Sequence, residues 1–207
     1  SRPSVMTDRH LVPTQSALLE LKEERGILRE GYRFLDEKRL ILATEILGEI
    51  GRYEREKAAF DADYASAGRA LEGAVMRHGL DELALYPAAP ETEAQFALSE
   101  RRVLGVALRA VELTSAVRSP TEPTLAASPE AEVCRAAFLA LLPRAARLAS
   151  LAGNLERLRA DYARTARRAR ALEDVLLPEI DVQVGGLETL LDELEREEAV
   201  RARRGRG

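Results

Sequence analysis

Apolar residues recur at alternating steps of three and four through much of this chain. The pattern is clearest in the C-terminal third, where Leu148, Leu151, Leu155, Leu158, Tyr162, Thr165, Ala169, Leu172 and Leu176 fall on one stripe. Such steps average to about 3.5 residues, the repeat of a left-handed coiled coil. After Pro178 the stripe resumes through Ile180, Val184, Leu187, Leu191 and Leu194. The two successive four-steps from Leu176 to Ile180 to Val184 form a stutter, which predicts a locally unwound supercoil. A helix this long cannot bury such a seam alone, so a partner helix is required.

The N-terminal half supplies one. Thr14, after Pro13, is placed to cap a helix, and the stretch that follows carries Leu18, Leu21, Leu28, Tyr32 and Leu35 on a seam. Arg25 and Arg39 occupy seam positions, where a charge costs stability and fixes register. From Ile46 the predicted seam runs through Ile50, Tyr53, Lys57, Phe60, Tyr64, Ala67 and Leu71, with helix ending at His78-Gly79. Gly26, Gly31, Gly48, Gly51, Gly68 and Gly73 lie inside it. Each costs about 1 kcal/mol of helix propensity relative to alanine. Either they admit a close backbone or they are simply tolerated.

The middle differs in kind, with Pro87, Pro90, Pro120, Pro123 and Pro129 breaking any helix. Residues 102–113 are rich in Val and Leu, which admits a short β-hairpin, and 119–124 reads as a loop. Helix resumes near Glu130, with Pro143 disturbing its early turns, and runs to Arg203. The expected fold is all-α. Two helices, 13–78 and 130–203, each on the order of 100 Å long at about 1.5 Å per residue, form an antiparallel coiled-coil hairpin. A compact insert, 79–129, sits at the closed end, built of short helices with room for a β-hairpin. With Thr14 opposite Val200, His78 faces Ala136. The same register sets Arg168 near Glu45 and Glu49, and Arg25 near Glu188 and Asp192.

Composition sharpens this picture. Charged residues make up 32% and aromatics 4%, with no tryptophan, a bias of long helices rather than of a deep globular core. The single cysteine, Cys134, excludes an intramolecular disulfide framework and reads as a structural helix residue. No uninterrupted run of 18 apolar residues occurs, so no membrane insertion is expected. The first residues show no signal-peptide core, and a cytoplasmic protein is expected, peripheral to a membrane if attached to one. Catalytic chemistry finds no support. His10 and His78 have no partner histidine at metal-ligand spacing, and no glycine-rich phosphate loop is present. No cofactor or metal is expected. The basic stretch from Arg201 is short and the net charge is -4, which argues against nucleic acid.

The two ends carry motifs in a fixed order. Thr165, Arg167, Arg168, Ala171, Leu172, Glu173, Val175 and Pro178 are followed by Leu191, Asp192, Glu193, Glu195, Arg196 and Glu197. Near the start stand Pro13, Thr14, Leu18, Leu21 and Lys22, then Gly31, Leu35, Lys38 and Arg39. In residue type and spacing both sets resemble the D subunit of V-type and A-type ATPases, the central rotor shaft. Gln15 and Asp36 depart from that pattern, which has basic residues there. The resemblance covers the two helices and little of the insert beyond a Val-x-Gly turn at Val103 to Gly105.

The resemblance implies a non-catalytic central-stalk protein that transmits torque between a catalytic hexamer and a membrane ion-translocating ring. It implies as partners the catalytic and regulatory subunits of the hexamer, the small F subunit of the stalk and a membrane-ring adaptor subunit. A freestanding coiled-coil adaptor or chaperone-like scaffold is the alternative that heptads alone do not separate. Arg157, Arg159, Arg164, Arg167, Arg168 and Arg170 make a dense basic segment. Arg164, Arg167, Arg168 and Arg170, with Asp192, Glu193, Glu195, Arg196 and Glu197, are the expected hexamer contacts. The alternative for Arg167 and Arg168 is a solvated face or pairing with Glu45 and Glu49. Pro178 removes one helix hydrogen bond and is the expected site of a kink in the shaft.

Overall fold

In a computed structural model, residues 13–84, 95–113 and 128–205 are described. Helix α1 spans Gln15–Ala84, strands β1 and β2 span Phe96–Val103 and Val106–Leu113, and α2 spans Pro129–Ala171. A five-residue π-helical turn, Leu172–Leu176, leads directly into α3, Leu177–Arg204. The loop expected at 119–124 lies outside the described residues. The chain divides into two compact units: the segments up to Leu40 and from Ala163 onward, and the segment Ile41–Tyr162.

Thr14 caps α1 as expected, its Oγ1 accepting from the Ala17 N–H at 3.2 Å. In the terminal unit Leu21 packs among Ile180, Val184, Leu187 and Leu191, flanked by Ala17, Leu18 and Leu28. Arg25 and Arg39 sit half-buried on this seam. Lys22 pairs with Glu188 at 2.7 Å, and Arg25 and Arg29 reach Asp181 at 3.4 and 3.3 Å. The helices are antiparallel, but the C-terminal one is displaced from the expected register by about one to two turns. Arg25 therefore bonds Asp181 rather than Asp192, while it remains near the expected Glu188, whose carboxylate its charge helps to stabilise. The physical reason is that sliding one heptad pattern along another by about seven residues restores every apolar contact. Only particular charges distinguish one register from the next.

The expected stutter is resolved by the π turn. Its wider turn, closed by the Leu177 N–H bonding to the Leu172 carbonyl, accommodates one extra residue. Leu176 is left exposed, and Leu177 takes the seam position. The steps then continue as three and four through Ile180, Val184, Leu187 and Leu191, all buried. Leu194, expected on the seam, is exposed. Pro178 follows directly. It has no N–H to give to the preceding turn, and its ring would crowd the carbonyl four residues back in a regular α-helix. The π turn is placed where that α-helical bond cannot be made.

In the middle unit the seam of α1 departs from its expected course. Ile50, Lys57, Tyr64 and Leu71 are exposed. The inward positions are Leu42, Ile46, Glu49, Tyr53, Glu56, Phe60, Asp63 and Ala67. They keep the alternation of four and three, but three of them are acidic. Arg144 bonds Asp63 at 2.5 Å, Arg147 bonds Glu56 at 2.9 Å, and Asn154 reaches Glu49 at 3.5 Å. Acidic residues hold seam positions here because α2 presents donors opposite them. A buried carboxylate without such partners would be strongly destabilising. Most of the α1 glycines face open space, and an added Cβ at Gly31 would meet Leu172 at an ordinary 3.8 Å. The tolerance reading of these glycines is therefore the one the packing favours.

Gly79 interrupts α1 with φ +72°, a backbone conformation other residues rarely adopt, and helix resumes to Ala84. Ser128 caps α2, its Oγ accepting from the Ala131 N–H at 3.2 Å, and lies 2.5 Å from His78 Nε2. His78 thus faces Ser128 rather than Ala136, again two turns from the expected register. The hairpin expected within 102–113 is present, but it begins earlier, at Phe96, so that 102–113 holds the end of β1, the turn and all of β2. β1 and β2 pair antiparallel from Phe96 with Leu113 to Val103 with Val106. Leu104 and Gly105, with φ of +47° and +90°, form the two-residue turn, whose positive dihedrals suit the twist of the flanking strands. Val106 and Leu108 pack with Leu42 and Leu158, beside Val103, Ile46 and Tyr162.

Candidate functional site

Within the middle unit a network of hydrogen-bonded side chains holds the hairpin to α1 and α2. Glu49 is 2% exposed and Asn154 4%. The Asn154 Oδ1 accepts from the Arg109 N–H at 2.8 Å, and its Nδ2 donates to the Arg109 carbonyl at 3.0 Å. One side-chain amide thus does for the outer edge of β2 what a third strand would do. Arg157 extends the seal, its Nε donating to the Ala107 carbonyl at 2.9 Å and its Nη2 to Asn154 Oδ1 at 2.6 Å. On the α1 side, Arg101 of β1 bonds both Glu45 and Glu49, and Arg52 bonds Glu49. The hydrogen bond to Glu45 holds the Arg101 guanidinium above its ordinary value, against the opposing effect of desolvation.

This constellation escaped the sequence reading, which assigned Glu45 and Glu49 to Arg168. Those carboxylates are taken by Arg101 and Arg52 instead, so the expected Arg168 pairs are not formed. Arg157, read as part of a basic face, is turned to the hairpin backbone. An asparagine one position before the seam residue Leu155 was the only signal available.

The remaining expected contact residues lie on the surface. Arg164, Arg167, Arg168 and Arg170 are exposed, around the buried seam residues Thr165 and Ala169. Among the described residues, Arg167, Arg168 and Arg170 make no ion pair. Asp192, Glu193, Glu195, Arg196 and Glu197 are exposed on α3. Glu195 meets Gln15 at 3.5 Å and Glu197 meets Arg201 at 3.2 Å. Pro178 is exposed in the first turn of α3. In the terminal unit α1 also exposes Leu19, Ile27 and Phe34, at spacings of seven or eight that place them on one side of the helix.

A second surface lies between the base of the hairpin and α2. Phe96, Leu98, Val111 and Leu113 wall a groove of about 580 Å³, with Ala145 and Ala149 among the residues lining its α2 side. The helical run Pro129–Arg204 contains one window apolar enough to cross a membrane by length and composition. In its least charged stretch, 136–153, the two arginines are Arg144 and Arg147, which are bonded to Glu56 and Asp63 of α1. No group of three or more His, Cys, Asp or Glu among the described residues is placed to hold a metal. Cys134 is half-buried and free. Glu130 is held below the ordinary carboxylate value first by its own backbone N–H, with Ser128 adding to it. This is the electrostatics of a helix start.

Both helical stretches and the hairpin fall within one known family. The family described as the D subunit of ATP synthase matches residues 17–206. The chain belongs to that family. It is 32% identical over 204 residues to the V-type ATP synthase D subunit of Anaeromyxobacter sp. (strain Fw109-5), covering 93% of this chain and 91% of the relative. The A-type ATP synthase D subunit of Thermococcus sibiricus is 27% identical over 195 residues, covering 93% and 91%. The V-type ATP synthase D subunit of Thermotoga neapolitana is 27% identical over 198 residues, covering 94% and 96%. The D-subunit match therefore extends through the hairpin, where the motifs at the two ends gave little guidance.

Proposed function

We propose that the chain is the central-stalk rotor subunit of a V/A-type rotary ATPase. In this reading it transmits torque between the catalytic hexamer and the membrane ion-translocating ring, without catalysing a reaction itself. The observation that carries it is family membership across nearly the whole chain. Three features suit it. Each unit is built on paired helices with interlocked seams, which resist twisting about a common axis. The Arg167, Arg168 and Arg170 side chains are exposed and make no ion pair among the described residues, so their charges are available to acidic loops of a surrounding ring. The apolar residues Leu19, Ile27 and Phe34 offer a greasy outer contact on α1 in the terminal unit.

In such a machine the shaft acts by differential contact. Three nucleotide sites meet three different faces of an asymmetric shaft. Shaft angle then biases site affinity, and occupancy biases shaft angle by the same free energy. Pro178 and the π turn beside it are a local departure from helical symmetry that serves this asymmetry. The partners are the catalytic and regulatory subunits, the small F subunit of the stalk and the membrane-ring adaptor. The complex is peripheral on the cytoplasmic side of the membrane.

The test is recovery of the tagged chain from its native cells in mild detergent, with subunit composition by mass spectrometry and ATPase assay of the eluate. A catalytic hexamer with one copy of the chain is expected. Reversing Arg167 and Arg168 to Glu should weaken assembly or uncouple hydrolysis from rotation. Unchanged assembly and ATPase in that variant removes the arginines from the contact. A chain that elutes as a homodimer without ATPase overturns the rotor reading.

A further inference from the structure

The two edges of the hairpin are treated very differently. The outer edge of β2 is sealed by Asn154 and Arg157. β1 has β2 as its only strand neighbour among the described residues, and every residue from Phe96 to Arg102 is exposed. The direction of its free backbone groups follows from the seal on β2. The Arg109 N–H and C=O and the Ala107 C=O point away from β1. Directly opposed residues in an antiparallel pair alternate between exchanging hydrogen bonds and turning them outward. Glu100 and Arg102, opposite Arg109 and Ala107, therefore also turn their N–H and C=O outward, as do Phe96 and Leu98.

Exposed edges normally carry protection: charged side chains, a proline or a bulge. In Phe96–Val103 the charges are confined to Glu100, Arg101 and Arg102, the half from Phe96 to Ser99 has neither charge nor proline, and the register with β2 is unbroken by a bulge. Phe96 and Leu98 are 52% and 68% exposed on it, continuous with the apolar groove against α2. Nearer the turn, Glu100 is shared between Arg102 and Arg109, which leaves one net positive charge on that face.

We propose that β1 is a docking edge at which an extended segment of another protein of the complex adds as a third strand. This rests on the reading of the chain as an ATPase component. The segment is apolar where it lies beside Phe96 and Leu98, because directly opposed residues share a face, and acidic where it passes Arg102. Backbone pairing supplies affinity and the alternate side chains supply specificity. A second copy of this chain is disfavoured as the occupant by area. Eight residues at about 3.4 Å each and about 10 Å of width cover about 270 Å² per side. A self-standing interface needs about 800 Å² per partner. A partner anchored elsewhere in the assembly needs only the local pairing.

The test is amide hydrogen exchange at single-residue resolution on the isolated chain and on the assembled ATPase. The Leu98, Glu100 and Arg102 amides are expected to exchange freely in the isolated chain and at least tenfold more slowly in the complex. The inward Ser99 and Arg101 amides, bonded to β2, should be protected in both. Leu98→Pro removes one outward donor without touching the ladder and should abolish the added protection at Glu100. Ser99→Pro, which breaks the ladder, marks what loss of the hairpin itself looks like. Protection of the outward amides in the isolated chain overturns the proposal, as self-pairing if it grows with concentration and as coverage by the chain itself if it does not. A chain that joins the complex with unchanged edge exchange overturns this proposal alone. A chain that never enters an ATPase overturns the rotor reading and the proposal with it.

Discussion

Replacing Asn154 with alanine tests whether one side chain holds the hairpin in place. Asn154 makes three bonds of good length: two to the backbone of Arg109 at 2.8 and 3.0 Å and one from Arg157 at 2.6 Å. A hydrogen bond contributes about 1 kcal/mol net, and a buried group left unpaired costs about 1–3 kcal/mol. Three bonds give about 3 kcal/mol by that scale. Water reaches part of the β2 edge once the amide is gone, which brings the expected loss to about 2 kcal/mol. Asn154→Asp should do worse than Asn154→Ala. It keeps the bulk but sets a second carboxylate beside Glu49, 3.5 Å from Nδ2, and faces the Arg109 carbonyl with an acceptor. Urea unfolding gives the free-energy change, and hydrogen exchange at the Arg109 amide localises it. A loss below about 0.5 kcal/mol in Asn154→Ala, with the Arg109 amide as protected as before, would refute the argument that this amide is the hairpin's anchor.

Leu158 is fully buried against Leu42, Val106 and Leu108, so Leu158→Ala should cost about 2–4 kcal/mol in urea unfolding; an unchanged midpoint would show that the cluster collapses around the gap. Leu104 holds φ +47° in the turn, a conformation that asparagine tolerates better. Leu104→Asn should therefore raise stability by about 0.5–1 kcal/mol in the same assay, whereas Gly105→Ala should lower it. Glu188 lies below its ordinary value of 4.5, chiefly through its hydrogen bond from Lys22. A depressed folded-state value means the stabilisation is fully present above 4.5 and fades as pH falls through the folded value. Lys22→Met should remove that part of the acid dependence, measured as the difference in melting temperature between neutral pH and pH near 3.5, and an unchanged difference would discount the pair.

Part of this protein follows from residue pattern alone. The C-terminal seam from Leu148 to Leu172 and again from Ile180 to Leu191 was legible because those helix positions are apolar, and apolar positions at steps of three and four have one way to be buried. The cap at Thr14 and the break at Gly79 were legible for an equally local reason: a hydroxyl that can accept a bond and a residue free to take positive φ. The contact role given to Arg167 and Arg168 rests on motif likeness, and their exposure is compatible with it without deciding it.

Tertiary structure decided what local pattern leaves degenerate. A heptad seam matches itself after every slip of about seven residues, so the register waited on pairs such as Lys22 with Glu188 and Arg144 with Asp63. That Glu49 is buried and Glu56 and Asp63 turn inward beside it could not be read from α1 alone, since a buried carboxylate is tolerable only when another segment brings a donor to it. Nor does the spacing at Leu176 say whether a stutter or a π turn absorbs the extra residue. That depends on Pro178, which forbids one α-helical bond, and on the α1 residues that Leu177 and Ile180 must meet. The hairpin's anchor joins Glu49, Arg101, Arg109 and Asn154 from three distant segments. No stretch of sequence holds that information, because each of its bonds exists only once the chain has brought those segments together.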